Sequence, residues 1–282
     1  MEQRKIGLFV NPVAGKGRSA TLTLQICNRL KEKNIDFDVF ESAWPATLHQ
    51  ISEAWIVGGD GTLNYFLNKF TDINLPIAVY KGGTANDFSW KLYGSMSLQR
   101  QIEHVLNHQP KPVDAVECND QIFINGAGIG FDGEVLKSIK TIRFLGGHLG
   151  YLWVVIKKIF SFKEYKYQIQ FDEQMLSEKF LLVMVTNSSR AGGGFMVSPA
   201  ADITDAKLDM VLCKPLPVLK RLQYLPVIEK GKHLDKDFIL HRQISNVKIV
   251  CEQDTLAQLD GELIRGSMFN ITVLPKRYLF IY

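Results

Sequence analysis

The feature that most constrains the fold is a glycine-rich turn at residues 57–63, which reads Val-Gly-Gly-Asp-Gly-Thr-Leu. An apolar stretch at residues 54–57 leads into it, and an amphipathic segment at residues 63–70 follows it. This order predicts a buried strand, a tight turn and a helix. Glycines let the backbone approach a ligand closely, and the start of a helix offers N–H donors and a positive dipole end. Such a turn suits a phosphate group.

Asp60 lies inside this turn. Its carboxylate would repel a bound phosphate unless a cation lay between the two groups. The turn therefore indicates a phosphate site with an acid directed at Mg²⁺, as phosphoryl transfer requires. The alternative is a plain Asp-Gly turn between a strand and a helix.

A second polar turn, at residues 11–19, follows an apolar run at residues 6–10. It is not a P-loop, because that motif needs a glycine where Val10 stands and a Ser or Thr where Gly17 stands. A looser phosphate-binding turn and an ordinary surface loop are both open. We expect Ser19 to be the N-cap of the helix that follows.

A third glycine turn, at residues 81–88, follows an apolar strand at residues 76–80. It carries a Thr hydroxyl, an Asn amide and a second carboxylate, Asp87. Because this turn and the one at residues 57–63 end successive strands, we expect both to face the crevice where open α/β sheets bind ligands. The alternation of strands and helices up to residue 113 predicts a parallel α/β nucleotide-binding domain.

Short strand signals crowd together in residues 114–282, with few helices between them. Many short strands with little helix predict an antiparallel β-sandwich-like domain. We therefore expect two domains, residues 1–113 and 114–282, with the active site in the cleft between them.

One predicted helix of the second domain, residues 149–160, is strongly apolar over residues 151–160 and contains paired lysines. It is typical either of a contact with a membrane surface or lipid tails, or of a core helix with a lysine edge. We favour the core helix, because core helices are the commoner case.

Two acidic segments of the second domain could carry chemistry. Residues 259–262 read Leu-Asp-Gly-Glu, which indicates either an Asp-Gly hairpin turn or a segment that presents Glu262 or Asp260 as a proton acceptor. Residues 199–209 carry acids at short spacing, which fits either a loop around a hard cation or a solvated acidic loop.

Composition excludes several other classes. The chain has 282 residues, of which 46% are hydrophobic and 22% charged, as in soluble globular proteins. The net charge of +4 comes without an arginine-rich tract, so no nucleic-acid partner is expected. Four scattered cysteines without a C-x-x-C pair argue against zinc and fit a reducing compartment. We expect a cytoplasmic protein, with peripheral contact at the inner membrane face left open.

Taken together and in order, the motifs resemble the diacylglycerol kinase catalytic-domain family, in particular its compact bacterial lipid kinases. That family is related to sphingosine kinases and more distantly to NAD kinases. The matching motifs cover nearly the whole chain: they lie at residues 11–15, 58–64, 83–88, 125–132, 192–199, 205–209 and 259–262.

The resemblance implies an ATP-dependent lipid kinase whose α/β domain binds the nucleotide and whose β-rich domain supplies the base and the lipid site. It implies Glu262 as the proton acceptor with Asp260 beside it. The implied ligands of catalytic Mg²⁺ are Asp60, Asp87 and Asp114, and a structural metal would be held by Asp202, Asp205 and the carbonyl of Lys207. The implied ATP-binding residues are Asn11, Gly15, Gly58, Gly59, Asp60, Gly61, Thr62, Asn64, Gly83, Thr84 and Asn86.

The implied partner is a lipid with a free hydroxyl, such as diacylglycerol, met through transient contact with a membrane surface. A homodimer is left open. The alternatives are an NAD kinase-like phosphotransferase and a catalytically silent regulator that binds nucleotide or lipid. Two departures from the family pattern are Ser89-Trp90, where Ala-Arg is usual, and Ala206, where glycine is usual.

Overall fold

The computed structural model describes residues 4–41, 43–141 and 148–282. It divides the chain into two compact units. Unit 1 comprises the residues up to Val113 together with Lys276–Tyr282, and unit 2 comprises Asp114–Pro275.

Unit 1 is an α/β domain built on parallel strands. Strand β1 lies between β2 and β3, and β4 pairs with the other edge of β3. Three of the strands, β1, β3 and β4, are nearly continuous apolar runs because helices cover the sheet, as parallel sheets require. The edge strand β2 alternates polar and apolar residues and is partly exposed. The strands are β1 (Lys5–Val10), β2 (Asp36–Phe40), β3 (Glu53–Gly58) and β4 (Ile77–Lys81), and the α-helices are α1 (Arg18–Glu32), α2 (Asp60–Lys69), α3 (Asp87–Tyr93) and α4 (Leu98–Asn107).

The last residues of the chain return to the first unit. Lys276–Tyr282 belongs to unit 1 in the structure, while the domain bounds 1–113 and 114–282 stay a prediction. Phe280 pairs in parallel with Ile77 of β4 and is fully buried. A one-dimensional pattern cannot show which distant strand a terminal segment will join.

Unit 2 is an antiparallel β-sandwich-like domain, as predicted. Its main sheet has the order β12-β11-β10-β7-β13-β14, and the β8–β9 hairpin pairs with β13. The strands are β5 (Pro110–Cys118), β6 (Gln121–Phe123), β7 (Gly126–Ile129), β8 (Tyr165–Phe171), β9 (Gln174–Phe180), β10 (Leu182–Thr186), β11 (Leu208–Cys213), β12 (Ile239–Ile244), β13 (Asn246–Leu259) and β14 (Glu262–Ile281).

Three helices accompany the strands of unit 2: α5 (Phe131–Thr141), α6 (His148–Ser161) and α7 (Val218–Glu229). Helix α6 packs on α5 and α7 through Val154, Val155 and Ile159. In the described part of the chain, no helix is both long and apolar enough to cross a bilayer.

Candidate active site

Three glycine turns of unit 1 pack backbone against backbone. A Cβ added to Gly83 would lie 2.3 Å from the Cα of Gly59, and one added to Gly15 would lie 2.3 Å from the carbonyl oxygen of Gly82. Only glycine permits this approach, and Gly15 also has a positive φ of 57°. The turns after β3 and β4 thus lie against each other, and the turn after β1 joins them. That they face one ligand-binding crevice stays a prediction.

Asp60 ties two of these turns together. It is the first residue of α2, and its Oδ2 and Oδ1 accept hydrogen bonds of 3.1 Å from the backbone N–H groups of Asp87 and Phe88. Burial raises the pKa of the Asp60 carboxyl, while the N–H donors of Phe88 and Asp87 act in the opposite direction. Asp87 is itself buried. The hydrogen bond from its backbone N–H places the two predicted metal-directed residues side by side in unit 1.

Asn86 braces the turn after β4. Its Oδ1 accepts from the N–H of Gly83 at 2.8 Å, and its Nδ2 donates to the carbonyl of Gly83 at 2.9 Å. Both polar atoms of the side chain therefore bond to the turn itself. Asn86 adopts a positive φ of 55°, which asparagine tolerates better than most residues.

The turn after β1 is fixed by Ser19, but not as predicted. Helix α1 begins at Arg18 and its N-cap is Gly17, with a φ of 89°, so Ser19 is not the N-cap. The Ser19 hydroxyl instead donates to the carbonyl of Asn11. The Asn11 side chain in turn donates from Nδ2 to Oγ1 of Thr62 at 3.4 Å, which connects this turn to α2.

A pocket of about 270 Å³ opens beside the turns. The rings of Trp44 and Tyr65 are 5.1 Å apart within it, and Trp44 also lies 5.3 Å from the ring of Phe9. Sequence reasoning missed both aromatic residues. The lining residues are Val10, Asn11, Pro12, Glu41, Trp44, Gly61, Thr62, Tyr65 and Lys69.

The Leu-Asp-Gly-Glu segment of unit 2 is a two-residue hairpin turn between β13 and β14. Leu259 pairs with Glu262, while Asp260 and Gly261 have φ values of 48° and 85°. This is the backbone of a type I′ turn. Glu262 is therefore the first residue of β14, and its side chain is exposed.

Asp260 is buried and fully engaged with backbone donors. Its Oδ1 accepts from the N–H groups of Asn125 and Gly126, both at 2.9 Å, and its Oδ2 accepts from Ile124 at 2.7 Å. The carboxylate thereby fastens the hairpin to the chain between β6 and β7. This arrangement favours a positioning role for Asp260 over proton transfer.

Gln258 holds the same hairpin from another side. Its Nε2 donates to Oδ2 of Asp132 at 2.7 Å, and its Oε1 accepts from the N–H of Gly261 at 2.8 Å. No sequence pattern singled out Gln258, because the partner Asp132 belongs to a distant helix.

Asp114 lies in unit 2 and is fully buried. Its Oδ2 accepts from the N–H of Ala206 at 2.7 Å. Ala206 has a φ of 59°, so this loop does adopt the conformation that usually favours glycine.

The acids of this loop bond to its own backbone. Asp202 accepts from Thr204, and Oδ1 of Asp205 accepts from the N–H of Lys207 at 2.9 Å. Burial raises the pKa of the Asp205 carboxyl. Across residues 4–41, 43–141 and 148–282, no three His, Cys, Asp or Glu side chains converge as a metal site. The structural metal at Asp202, Asp205 and Lys207 stays a prediction.

Comparison with known protein families agrees with both units. Residues 5–118 match the diacylglycerol kinase catalytic domain, and residues 126–281 match the YegS C-terminal NAD kinase beta sandwich-like domain. The chain belongs to the diacylglycerol kinase-like lipid kinases. The resemblance drawn from the motifs is thereby confirmed.

Relatives of this lipid kinase family match along most of their length. The chain is 31% identical over 251 residues to "Probable lipid kinase YegS-like" from Shewanella frigidimarina (strain NCIMB 400), covering 86% of this chain and 81% of the relative. It is 25% identical to "Diacylglycerol kinase" from Bacillus subtilis (strain 168), with 97% of both chains covered.

Solved structures share the lipid kinase fold. One from Bacillus anthracis str. Sterne has a TM-score of 0.82 at 25% identity and covers 100% of this chain and 96% of its own. Another from the same organism, described as a diacylglycerol kinase, has a TM-score of 0.75 at 23% identity, with coverage of 100% and 98%.

Proposed function

We propose that this lipid kinase transfers the γ-phosphate of ATP to a lipid hydroxyl, such as that of diacylglycerol, with the help of Mg²⁺. The observation that carries the proposal is the packing of three glycine turns around Asp60. Turns that expose N–H groups at helix starts suit phosphate, and an acid among them is useful only when a cation lies between it and the phosphate.

The nucleotide would lie along unit 1. We assign its phosphates to the turns after β1, β3 and β4 and its base to the 270 Å³ pocket, where the rings of Trp44 and Tyr65 offer apolar faces. Asn11 and Thr62 line that pocket and are already joined by a hydrogen bond, so they are held where pocket and turn meet. The other predicted ATP contacts are Gly15, Gly58, Gly59, Gly61, Asn64, Gly83 and Thr84, with Asn86 bracing the turn.

The acids of unit 1 fit Mg²⁺. This ion binds oxygen ligands and is commonly held by one or two carboxylates, with phosphate oxygens and water completing its shell. Asp60 and the neighbouring Asp87 supply such carboxylates, and we assign the ion to them. An ionised carboxylate has about four acceptor sites, and the bonds from Asp87 and Phe88 use two of those on Asp60. Bound there, Mg²⁺ would neutralise charge on the phosphates. The contribution of Asp114 to the same ion stays a prediction.

Glu262 is our candidate for the proton acceptor. Its exposed position at the start of β14 gives it access to an acceptor hydroxyl, whereas both oxygens of Asp260 are occupied by backbone donors. Glu262 would take the proton of the lipid hydroxyl as that oxygen attacks the γ-phosphorus and ADP leaves. Asp260 and Gln258 would hold the hairpin that presents it.

An NAD kinase-like activity is the second candidate. It is favoured by the description of the family model that matches residues 126–281, which names an NAD kinase-like sandwich. In that case the acceptor would be the ribose hydroxyl of a nicotinamide nucleotide rather than a lipid. A regulator without catalysis would have no use for a proton acceptor at Glu262.

The test is transfer of labelled phosphate from ATP to an acceptor panel, with and without Mg²⁺. The panel holds diacylglycerol, monoacylglycerol, phosphatidylglycerol, sphingosine, ceramide and undecaprenol in detergent micelles, with NAD⁺ assayed in buffer. Label on a lipid supports the proposal and identifies the acceptor. Label on NAD⁺ alone supports the second candidate, and the absence of label despite ATP binding supports the regulator.

We also propose that the enzyme reaches its acceptor by peripheral contact with a membrane at its cytoplasmic face. A homodimer stays a prediction that sedimentation velocity of the full chain would test.

A further inference from the structure

Helix α6 has exposed apolar side chains on one side, away from the residues that it buries against α5 and α7. Trp153, Ile156 and Phe160 are separated by three and four residues, so they share one side of the helix. Their exposed fractions are 49%, 37% and 62%. The opposite side carries the buried residues that pack on α5 and α7. The core-helix interpretation thus explains one side of α6 and leaves the other unexplained.

The start of α7 lies beside the end of α6. Arg221 donates from NH1 to the carbonyls of Ile159 and Phe162, both at 3.1 Å, which fixes the first turn of α7 against the end of α6. Leu219, two residues before Arg221, is 80% exposed. We call Trp153, Ile156 and Phe160 the apolar face, with Leu219 exposed in the neighbouring first turn of α7. The apolar face carries three of the large hydrophobic side chains exposed in the described residues, whereas scattered single ones would be ordinary.

The charges around the apolar face are mostly positive. Residues 152–164 and the first turn of α7, residues 218–221, contain five cationic side chains and one acidic one. The acid, Glu164, is paired with Arg221, and Lys158 is paired with Glu134 of α5 at 2.9 Å. The remaining cations, Lys157, Lys163 and Lys220, are exposed.

Lys157 brings positive charge and apolar exposure together on this surface. Its Nζ lies 5.6 Å from the centre of the Trp153 ring, so a cation and an aromatic side chain occupy the same side of α6. Aromatic and aliphatic side chains that enter the acyl boundary, with lysines at the level of the headgroups, are typical of a helix that lies on a membrane surface. Exposed lysines also favour anionic lipids.

We propose that the apolar face, together with Lys157, Lys163 and Lys220, is the surface by which this protein docks on an anionic phospholipid bilayer. The inference deepens the proposed function and rests on it for the biological reason to meet a membrane. The docking itself depends only on unit 2 and can be measured without catalysis.

The experiment measures co-sedimentation of the full chain with vesicles of phosphatidylcholine and with vesicles of phosphatidylcholine and phosphatidylglycerol. We expect the wild type to bind the anionic vesicles and to be released as salt is raised. The double variant Trp153→Ser/Phe160→Ser should lower the partition coefficient by about tenfold or more, because two aromatic groups no longer enter the boundary. Lys157→Glu should weaken binding to the anionic vesicles only.

The matched controls lie on β9 of the same unit. Met175→Ser removes an apolar side chain that is 71% exposed, and Lys179→Glu reverses an exposed charge. Both should bind vesicles like the wild type. Thermal unfolding of each variant checks that the fold is retained, which is expected because the replaced side chains are exposed.

The proposal is overturned if the double variant binds anionic vesicles as well as the wild type does, or if the wild type binds neither vesicle. It is also overturned if the wild type self-associates and the double variant is monomeric, because the apolar face would then be an interface between copies. Phosphate transfer to a short-chain diacylglycerol dissolved as monomers is measured in parallel. Loss of vesicle binding with this transfer retained separates the docking surface from the kinase site.

Discussion

Gln258 and Asp132 are 126 residues apart in the chain, yet Nε2 of Gln258 donates to Oδ2 of Asp132 at 2.7 Å. The other polar atom of the same side chain accepts from the N–H of Gly261. One glutamine therefore joins the first turn of α5 to the hairpin that presents Glu262. The position of the proposed base depends on this link as well as on Asp260.

Replacing Gln258 by Leu should lower kcat by about tenfold while the KM for ATP is unchanged, because small displacements of a catalytic group are costly and the nucleotide is bound by unit 1. Steady-state kinetics of both substrates measures this. Gln253→Ala, at an exposed position of the same strand, is the matched control and should be neutral. Equal kinetics for the Gln258 variant and the wild type would show that the link does not position the base.

Gly83→Ala should separate the turns of unit 1. The added Cβ would meet the Cα of Gly59 at 2.3 Å, and backbone cannot move aside as a flexible side chain can. We expect a loss of about 1–3 kcal/mol of unfolding free energy and weaker ATP binding. Gly266→Ala is the control, since a Cβ added to Gly266 would meet no atom closer than 3.7 Å. Calorimetric titration with ATP should show weaker binding only for the Gly83 variant.

Trp44→Ala should weaken ATP binding about tenfold or more, because stacking of a base on an aromatic ring contributes on the order of 1–3 kcal/mol. Direct titration with ATP and with inorganic triphosphate distinguishes the contribution of the base to binding from that of the phosphates. Triphosphate affinity should be unchanged, and Trp153→Ala in unit 2 should alter neither. If ATP and triphosphate lost affinity equally, the pocket would not hold the base.

Asp260→Asn should lower the free energy of unfolding by about 2–4 kcal/mol. The carboxylate accepts hydrogen bonds from backbone N–H groups, and the NH₂ group of a buried Asn side chain would face one of these donors instead of accepting from it. Glu262→Gln, at an exposed position, should cost less than about 0.5 kcal/mol. Urea unfolding of both variants gives the comparison. Similar stabilities would contradict the assignment of positioning to Asp260 and chemistry to Glu262.

Much of unit 1 could be predicted, because the sequence signals for its strands, turns and helices lie next to one another in the chain. Apolar strands run directly into glycine turns, and the packing of Gly83 on Gly59 follows once both turns end neighbouring parallel strands. Ser19 shows the limit of this reasoning, since a hydroxyl at a helix start can bond backward to Asn11 instead of capping the helix.

Contacts between distant segments could not be predicted. Trp44 follows a short edge strand and belongs to no motif, and Tyr65 lies on the polar side of an amphipathic helix. The sequence therefore did not indicate that either residue lines a pocket. The pairing of Phe280 with Ile77 and the bond from Gln258 to Asp132 join segments whose sequences carry no mark of each other. The exposure of one side of α6 could not be predicted either. Its sequence has apolar residues on both sides of the helix, which is the pattern of a fully buried helix.

The most direct test of the central claim is the rate of ADP formation from ATP and Mg²⁺, with and without diacylglycerol micelles, for the wild type and Glu262→Gln. We predict that the lipid stimulates ADP formation by the wild type, with one labelled phosphate in the lipid for each ADP. Glu262→Gln should bind ATP normally and lose the stimulation by about a hundredfold or more. Full lipid-stimulated turnover in the variant would contradict the assignment of Glu262 as base, and equal ADP formation by the wild type with and without lipid acceptors would contradict the lipid kinase reaction.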